Sequence, residues 1–112
     1  MSELQLTYRH DRDLLRAQVV DASDPEPRVV RRQTVTLRVR ESEPEVVSFE
    51  VEGFSHFVSY HLLGQLFGDG AIRRISTFQT DAARAERDMT RKIPYAQPPG
   101  SKRVLRQLLR AA

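Results

Sequence analysis

Leu4, Leu6 and Tyr8 alternate with polar residues, and so do Leu15, Ala17 and Val19. Side chains two apart point to the same side of an extended chain. Each run therefore predicts a strand with one buried and one wet face. The polar stretch Arg9-His10-Asp11-Arg12-Asp13 between them is a turn. One pairing puts all six apolar residues on one face. It sets Tyr8 opposite Leu15, Leu6 opposite Ala17 and Leu4 opposite Val19. A slip by one residue would turn the whole apolar set into water, so this register constrains any fold the chain can adopt.

A second alternation follows a break. Asp21-Ala22-Ser23-Asp24-Pro25-Glu26-Pro27 cannot continue a central strand. A long strand comes next, with Val35, Leu37 and Val39 on one side. Glu41-Ser42-Glu43-Pro44-Glu45 turns the chain, and Val47, Phe49 and Val51 return on the same side. With Arg40 opposite Val46, Val39 meets Val47, Leu37 meets Phe49 and Val35 meets Val51. The other face then carries Thr34, Thr36, Arg38 and Arg40 near Ser48, Glu50 and Glu52. Opposite charges across strands contribute about 0.2–1 kcal/mol per pair, and the plain reading is a solvated sheet face.

The rest reads as mostly helical. Gly53 ends the strand. Ser55 is placed to cap a helix running to about Phe67, with Phe54 as half of a hydrophobic staple and Gly68-Asp69-Gly70 as its stop. Phe54, Phe57, Val58, His61 and Leu62 form one stripe of that helix. His56, Tyr60, Leu63 and Phe67 form another on nearly the opposite side. Two stripes imply cover on both sides, by the sheet and by either the C-terminal helix or a second copy of the chain. Residues 71–78 are ambiguous: Ile72, Ile75 and Phe78 have helical spacing, but their Ile, Ser and Thr content favours a short strand. Thr80 or Asp81 then caps a helix from about Ala82 to Lys92.

The expected fold is α+β. An antiparallel sheet of four to five strands carries one helix on a face, with one or two helices after it. One domain spans residues 1–92, a proline-rich linker spans 93–100, and a basic amphipathic helix occupies 101–112. In that last helix Val104, Leu105, Leu108 and Leu109 lie on one side and Arg103, Arg106 and Arg110 on the other.

Tyr8, Asp13 and Leu15, together with Glu45-Val46-Val47-Ser48-Phe49-Glu50-Val51-Glu52-Gly53-Phe54-Ser55, resemble a small bacterial family of unknown function. Its members open with a Tyr, an Asp five residues on and a Leu two beyond, and close with an apolar strand. The resemblance covers residues 4–55. It implies a compact antiparallel sheet and supplies no catalytic residues. Residues 56–112 go beyond it. In either case a carboxylate at Asp13, in a tight turn, can accept backbone N–H bonds.

Charge is sorted along the chain. Residues 1–72 hold eight arginines against twelve carboxylates, while residues 73–112 hold eight arginines and two lysines against three. No acidic side chain follows Asp88. Basic segments of this kind seek phosphates or acidic protein surfaces. The candidate nucleic-acid contacts are Arg84, Arg87, Arg91, Lys92, Lys102, Arg103, Arg106 and Arg110. They would grip the backbone with little sequence preference, because Tyr95 is the only aromatic among them. An acidic protein is the alternative partner. A homodimer is the further expectation, through Tyr60, Leu63, Phe67, Val104, Leu105, Leu108 and Leu109.

Chemistry is sparsely signalled. Cysteine is absent, which rules out disulfides, thiolate nucleophiles and Cys-based zinc sites. His56 and His61 are five apart, about 140° around a helix, too far to share one metal. No hydrolase, metalloprotease or nucleotide-loop motif occurs. No metal, no cofactor and no catalytic residue is expected, and the reading is a non-catalytic binding module. A metal-free nuclease with His61 as base and Arg73 or Arg74 on the phosphate is the second alternative. No long apolar run or leader-like N-terminus is present, so a cytoplasmic location away from membranes is expected.

Overall fold

The computed structural model describes residues 2–22 and 26–111. Six strands form one sheet: β1 (Ser2–Arg9), β2 (Leu14–Val19), β3 (Arg28–Arg32), β4 (Val35–Arg40), β5 (Glu45–Glu52) and β6 (Met89–Tyr95). Between β5 and β6 lie helices α1 (His61–Phe67) and α2 (Asp69–Ala85), and α3 (Ser101–Ala111) follows β6. The sheet order is β3-β4-β5-β2-β1-β6, and every pairing is antiparallel. The α+β class with an antiparallel sheet is as expected, with six strands and three helices in place of fewer.

The opening hairpin has the expected register: Tyr8 pairs with Leu15, Leu6 with Ala17 and Leu4 with Val19. In the second hairpin Val35 meets Val51 and Leu37 meets Phe49 as expected. The third pair is shifted. A bulge sets Val39 opposite Val46, and Val47 drops out of the core cluster. The extra residue of a bulge reverses which neighbour faces inward.

The expected long strand before Val35 is instead a hairpin. Gln33 and Thr34 join β3 to β4, and Gln33 adopts a left-handed φ of 54°. Such turns ordinarily announce themselves with Gly or Asn, and neither is present here. Ser23, Asp24 and Pro25, in the expected break, lie outside the described residues.

The helix expected from Ser55 to Phe67 is shorter. Phe54–His56 form one 3-10 turn, and α1 starts only at His61. Ser55 does not cap it, because its hydroxyl and N–H both go to Asp13. The Gln79 side chain donates to the carbonyls of Phe54 and Phe57, groups a helix would need for itself. Val58 is left 84% exposed, so the first apolar stripe is broken.

Residues 71–78 belong to α2 and not to a strand. Ala71, Ile75, Phe78 and Ala82 are buried at helical spacing against the sheet. The helix stops at Ala85 with Glu86 left-handed, well short of Lys92. Met89, Arg91, Ile93 and Tyr95 then alternate along β6, which pairs with the free edge of β1. The segment expected as a linker therefore starts inside a strand. Pro94 is tolerated there because β6 is an edge.

All three helices contribute to one core under one face of the sheet, which includes Leu63, Phe67, Ile75, Phe78 and Leu105. α1 packs against both α2 and α3.

Candidate functional site

α2 runs beside the edge strand β6, and the two leave a trough of about 550 Å³ between them. Gly70, Arg73, Arg74 and Thr77 line it from the helix; Arg91, Lys92, Ile93 and Pro94 line it from the strand. The helical residues are three and four apart, so they form a single stripe. Beside that stripe, Ala71, Ile75 and Phe78 are buried, and their burial fixes which way Arg73 and Arg74 face.

The four cations of the trough are not equivalent. Arg91 donates to Asp81 at 2.9 Å, and its guanidinium lies 5.3 Å from the Phe78 ring centre. Ion pair and ring together hold it in place. Arg74 makes only a long contact, 3.4 Å, to the carbonyl of Gly70. Among the described residues, Arg73, Arg74 and Lys92 have no carboxylate within ion-pair reach.

The open face of the sheet is different. Arg38 donates to Glu50 at 3.0 Å, and Arg16 shares the same carboxylate at 3.4 Å. Arg40 reaches Glu45 and Arg31 reaches Glu52, each at 3.3 Å. Of these, the Arg38–Glu50 pair is one expected from the alternation. Each of these four arginines has a carboxylate within reach.

The basic residues proposed from sequence do not form one patch. Arg91 and Lys92 are in the trough, Arg84 is exposed near the end of α2, and Arg87 is in the turn after it. Lys102, Arg103, Arg106 and Arg110 are exposed on α3, which packs on the other flank of α1. Arg73 and Arg74 join Arg91 and Lys92 in their place. With residues 71–78 expected as a strand, where neighbouring arginines alternate faces, Arg73 and Arg74 were named only for the nuclease alternative and not among the nucleic-acid contacts. The helical spacing of Ile72, Ile75 and Phe78 was the signal that could have found them.

The residues of the expected interface contribute to the core of the protomer. Leu63, Phe67 and Leu105 are buried, and Tyr60, Val104, Leu108 and Leu109 are half-buried against the same core. α3 docks on α1 within the same chain. His61 borders a different recess, beside Arg32, Gln33, Thr34 and Leu108 near the β3–β4 turn. Arg73 and Arg74 are at the opposite, β6 edge of the sheet. The trio proposed for a nuclease therefore does not converge.

The residues behind the family resemblance meet in one network. The Tyr8 hydroxyl donates to Asp13 Oδ1 at 2.7 Å, and the Ser55 N–H donates to the same oxygen at 2.9 Å. The Ser55 hydroxyl donates to Asp13 Oδ2 at 2.7 Å. Asp13 is left-handed, φ 49°, which Asp tolerates better than most residues. Burial on its own would raise the Asp13 carboxyl. The bonds from Ser55 and Tyr8, with His56 nearby, outweigh that and hold it below the usual carboxylate value. Burial, then the bond to Asp13, pushes the Tyr8 phenol up to about 12. The network ties the first hairpin to the end of β5 and is a structural strut.

Among the described residues, no group of three His, Asp or Glu side chains is placed to hold a metal, and no helix is long and apolar enough to cross a membrane. No protein-family model, curated protein or solved structure matches the chain.

Proposed function

We propose that the protein is a non-catalytic binding module whose α2–β6 trough engages the phosphate backbone of a nucleic acid. The observation that carries this reading is that Arg73 and Arg74 project from one stripe of α2 into a trough that Lys92 also borders, with no carboxylate within ion-pair reach among the described residues. Exposed cations without counter-charge favour an anionic ligand, and arginine forks suit phosphate in particular. Arg91, held by Asp81, supplies a fourth positive charge in fixed position. Four phosphate contacts give a log–log salt slope of about −3 to −4. The mode is backbone contact, and it asks nothing of a second copy of the chain.

The test is binding to single- and double-stranded DNA and to RNA across a salt series, beside the double variant Arg73→Glu/Arg74→Glu. Salt-sensitive binding that the variant loses supports the reading. Absence of binding at low salt overturns it.

An acidic protein is the second reading, and the observation in its favour is α3. Lys102, Arg103, Arg106 and Arg110 are exposed on a helix whose apolar side is already docked. Binding that survives the trough variant but fails when these four are reversed would favour it.

A further inference from the structure

We infer that the trough takes single-stranded nucleic acid, with one unstacked base lodged in an apolar recess that continues from the cationic site. This rests on the phosphate reading above and adds to it the kind of strand. The recess has a volume of about 480 Å³ and shares Gly70, Arg74 and Pro94 with the trough. Its remaining lining is chiefly apolar: Phe67, Ala71, Tyr95 and Pro98 among others. Beneath it the Phe67 and Tyr95 rings meet edge to face, 5.2 Å between centres, and make a firm floor. One wall is the loop after β6. It sits close on the start of α2, since a Cβ at Gly68 would lie 3.6 Å from both the Ala96 carbonyl and Pro98.

A site that is cationic at one end and apolar at the other matches one nucleotide. The phosphate meets Arg73 and Arg74, and the base covers the apolar end. A duplex keeps its bases stacked inside and presents only phosphate and sugar at this scale, which would leave the recess wet. Single strands can turn a base out onto apolar and aromatic surfaces. Gln97 on the rim carries both a donor and an acceptor for a base edge. A peptide adding as a seventh strand fits less well. Lys92 and Pro94 on β6 are the residue types that blunt an edge against strand pairing.

The experiment is fluorescence anisotropy on the full chain at low salt. Short labelled oligothymidylate and oligouridylate are compared with an abasic strand of equal charge and with a duplex. Base-bearing single strands should bind about tenfold more tightly than the abasic strand. Gly70→Leu should close that gap while keeping every charge. A Cβ at Gly70 meets only the Arg74 guanidinium, at an ordinary 3.7 Å, so a larger side chain can enter between the two halves. The ligand comparison stands without any variant. Equal binding of abasic and base-bearing strands, or tighter binding of the duplex, overturns the base recess and leaves the phosphate reading intact. No binding by any of them overturns both.

Discussion

The open face of the sheet and the α2–β6 trough are both built around arginine, and they put it to opposite uses. On the sheet, antiparallel pairing carries Arg38, Arg40 and Arg16 to Glu50 and Glu45 at 3.0–3.4 Å. Acid and base alternate within the same strands, so register alone brings them together. Residues 73–112 hold ten cations and only three carboxylates. Asp81 pairs with Arg91 and Asp88 with Arg9, and among the described residues the other cations of this segment, Arg73, Arg74 and Lys92 included, have no carboxylate within ion-pair reach. A count of charges therefore does not locate a binding surface. What locates it is the place where cations left over after internal pairing line one concavity.

This contrast can be broken at four places. The largest expected effect is in the neutralised half of the molecule, at its strut. Asp13→Ala removes three hydrogen bonds to a carboxylate and strains a left-handed residue, and should cost about 2–4 kcal/mol in denaturant unfolding. It should leave the nucleic-acid affinity of the folded protein unchanged.

The sign of the pH dependence follows from the same network. The carboxyl of Asp13 is lowered in the fold, so its contribution is present above the ordinary carboxylate value and fades as pH falls through the folded value. Asp13→Asn, which tolerates the same backbone, should flatten stability against pH in acid. Tyr8 is raised from 10.0 to about 12, so stability should fall as pH rises through that interval, and Tyr8→Phe should remove part of the fall.

Next in size is the trough. Arg73→Glu/Arg74→Glu should lower affinity for nucleic acid about 30- to 100-fold at low salt and reduce the salt slope by about 2. Thermal stability should hold, since neither side chain is paired with a carboxylate or buried. Reversing Arg103, Arg106 and Arg110 together should cost about threefold or less, because they act only through the general field. Equal losses from the two sets would erase the distinction between trough and α3.

The smallest effect is expected from Arg16→Gln/Arg38→Gln. Exposed ion pairs contribute little, so stability should change by about 1 kcal/mol or less and affinity by about twofold or less. A large loss of binding there would move the site to the open face.

Strands β1, β2, β4 and β5 were legible because each carries its own signal. Leu4, Leu6 and Tyr8 pair with Val19, Ala17 and Leu15 at the register their alternation implies. The misreadings fell where a distant group intervened. Gln79 captures the carbonyls of Phe54 and Phe57, and Asp13 takes Ser55, so no helix forms where spacing and capping favoured one. Met89–Tyr95 extends because β1 has a free edge, a fact written 80 residues upstream of it.

By itself the sequence determined the class of fold, the register of the first hairpin, that of the second as far as its bulge, and the charge asymmetry, because period-two patterning and composition act within or between near neighbours in the chain. Only the tertiary structure decided that Arg73 and Arg74 face Arg91 and Lys92, that α3 closes over α1 in cis and that His61 stands apart. Those outcomes depend on which apolar faces bury together, and burial is settled between segments far apart in sequence.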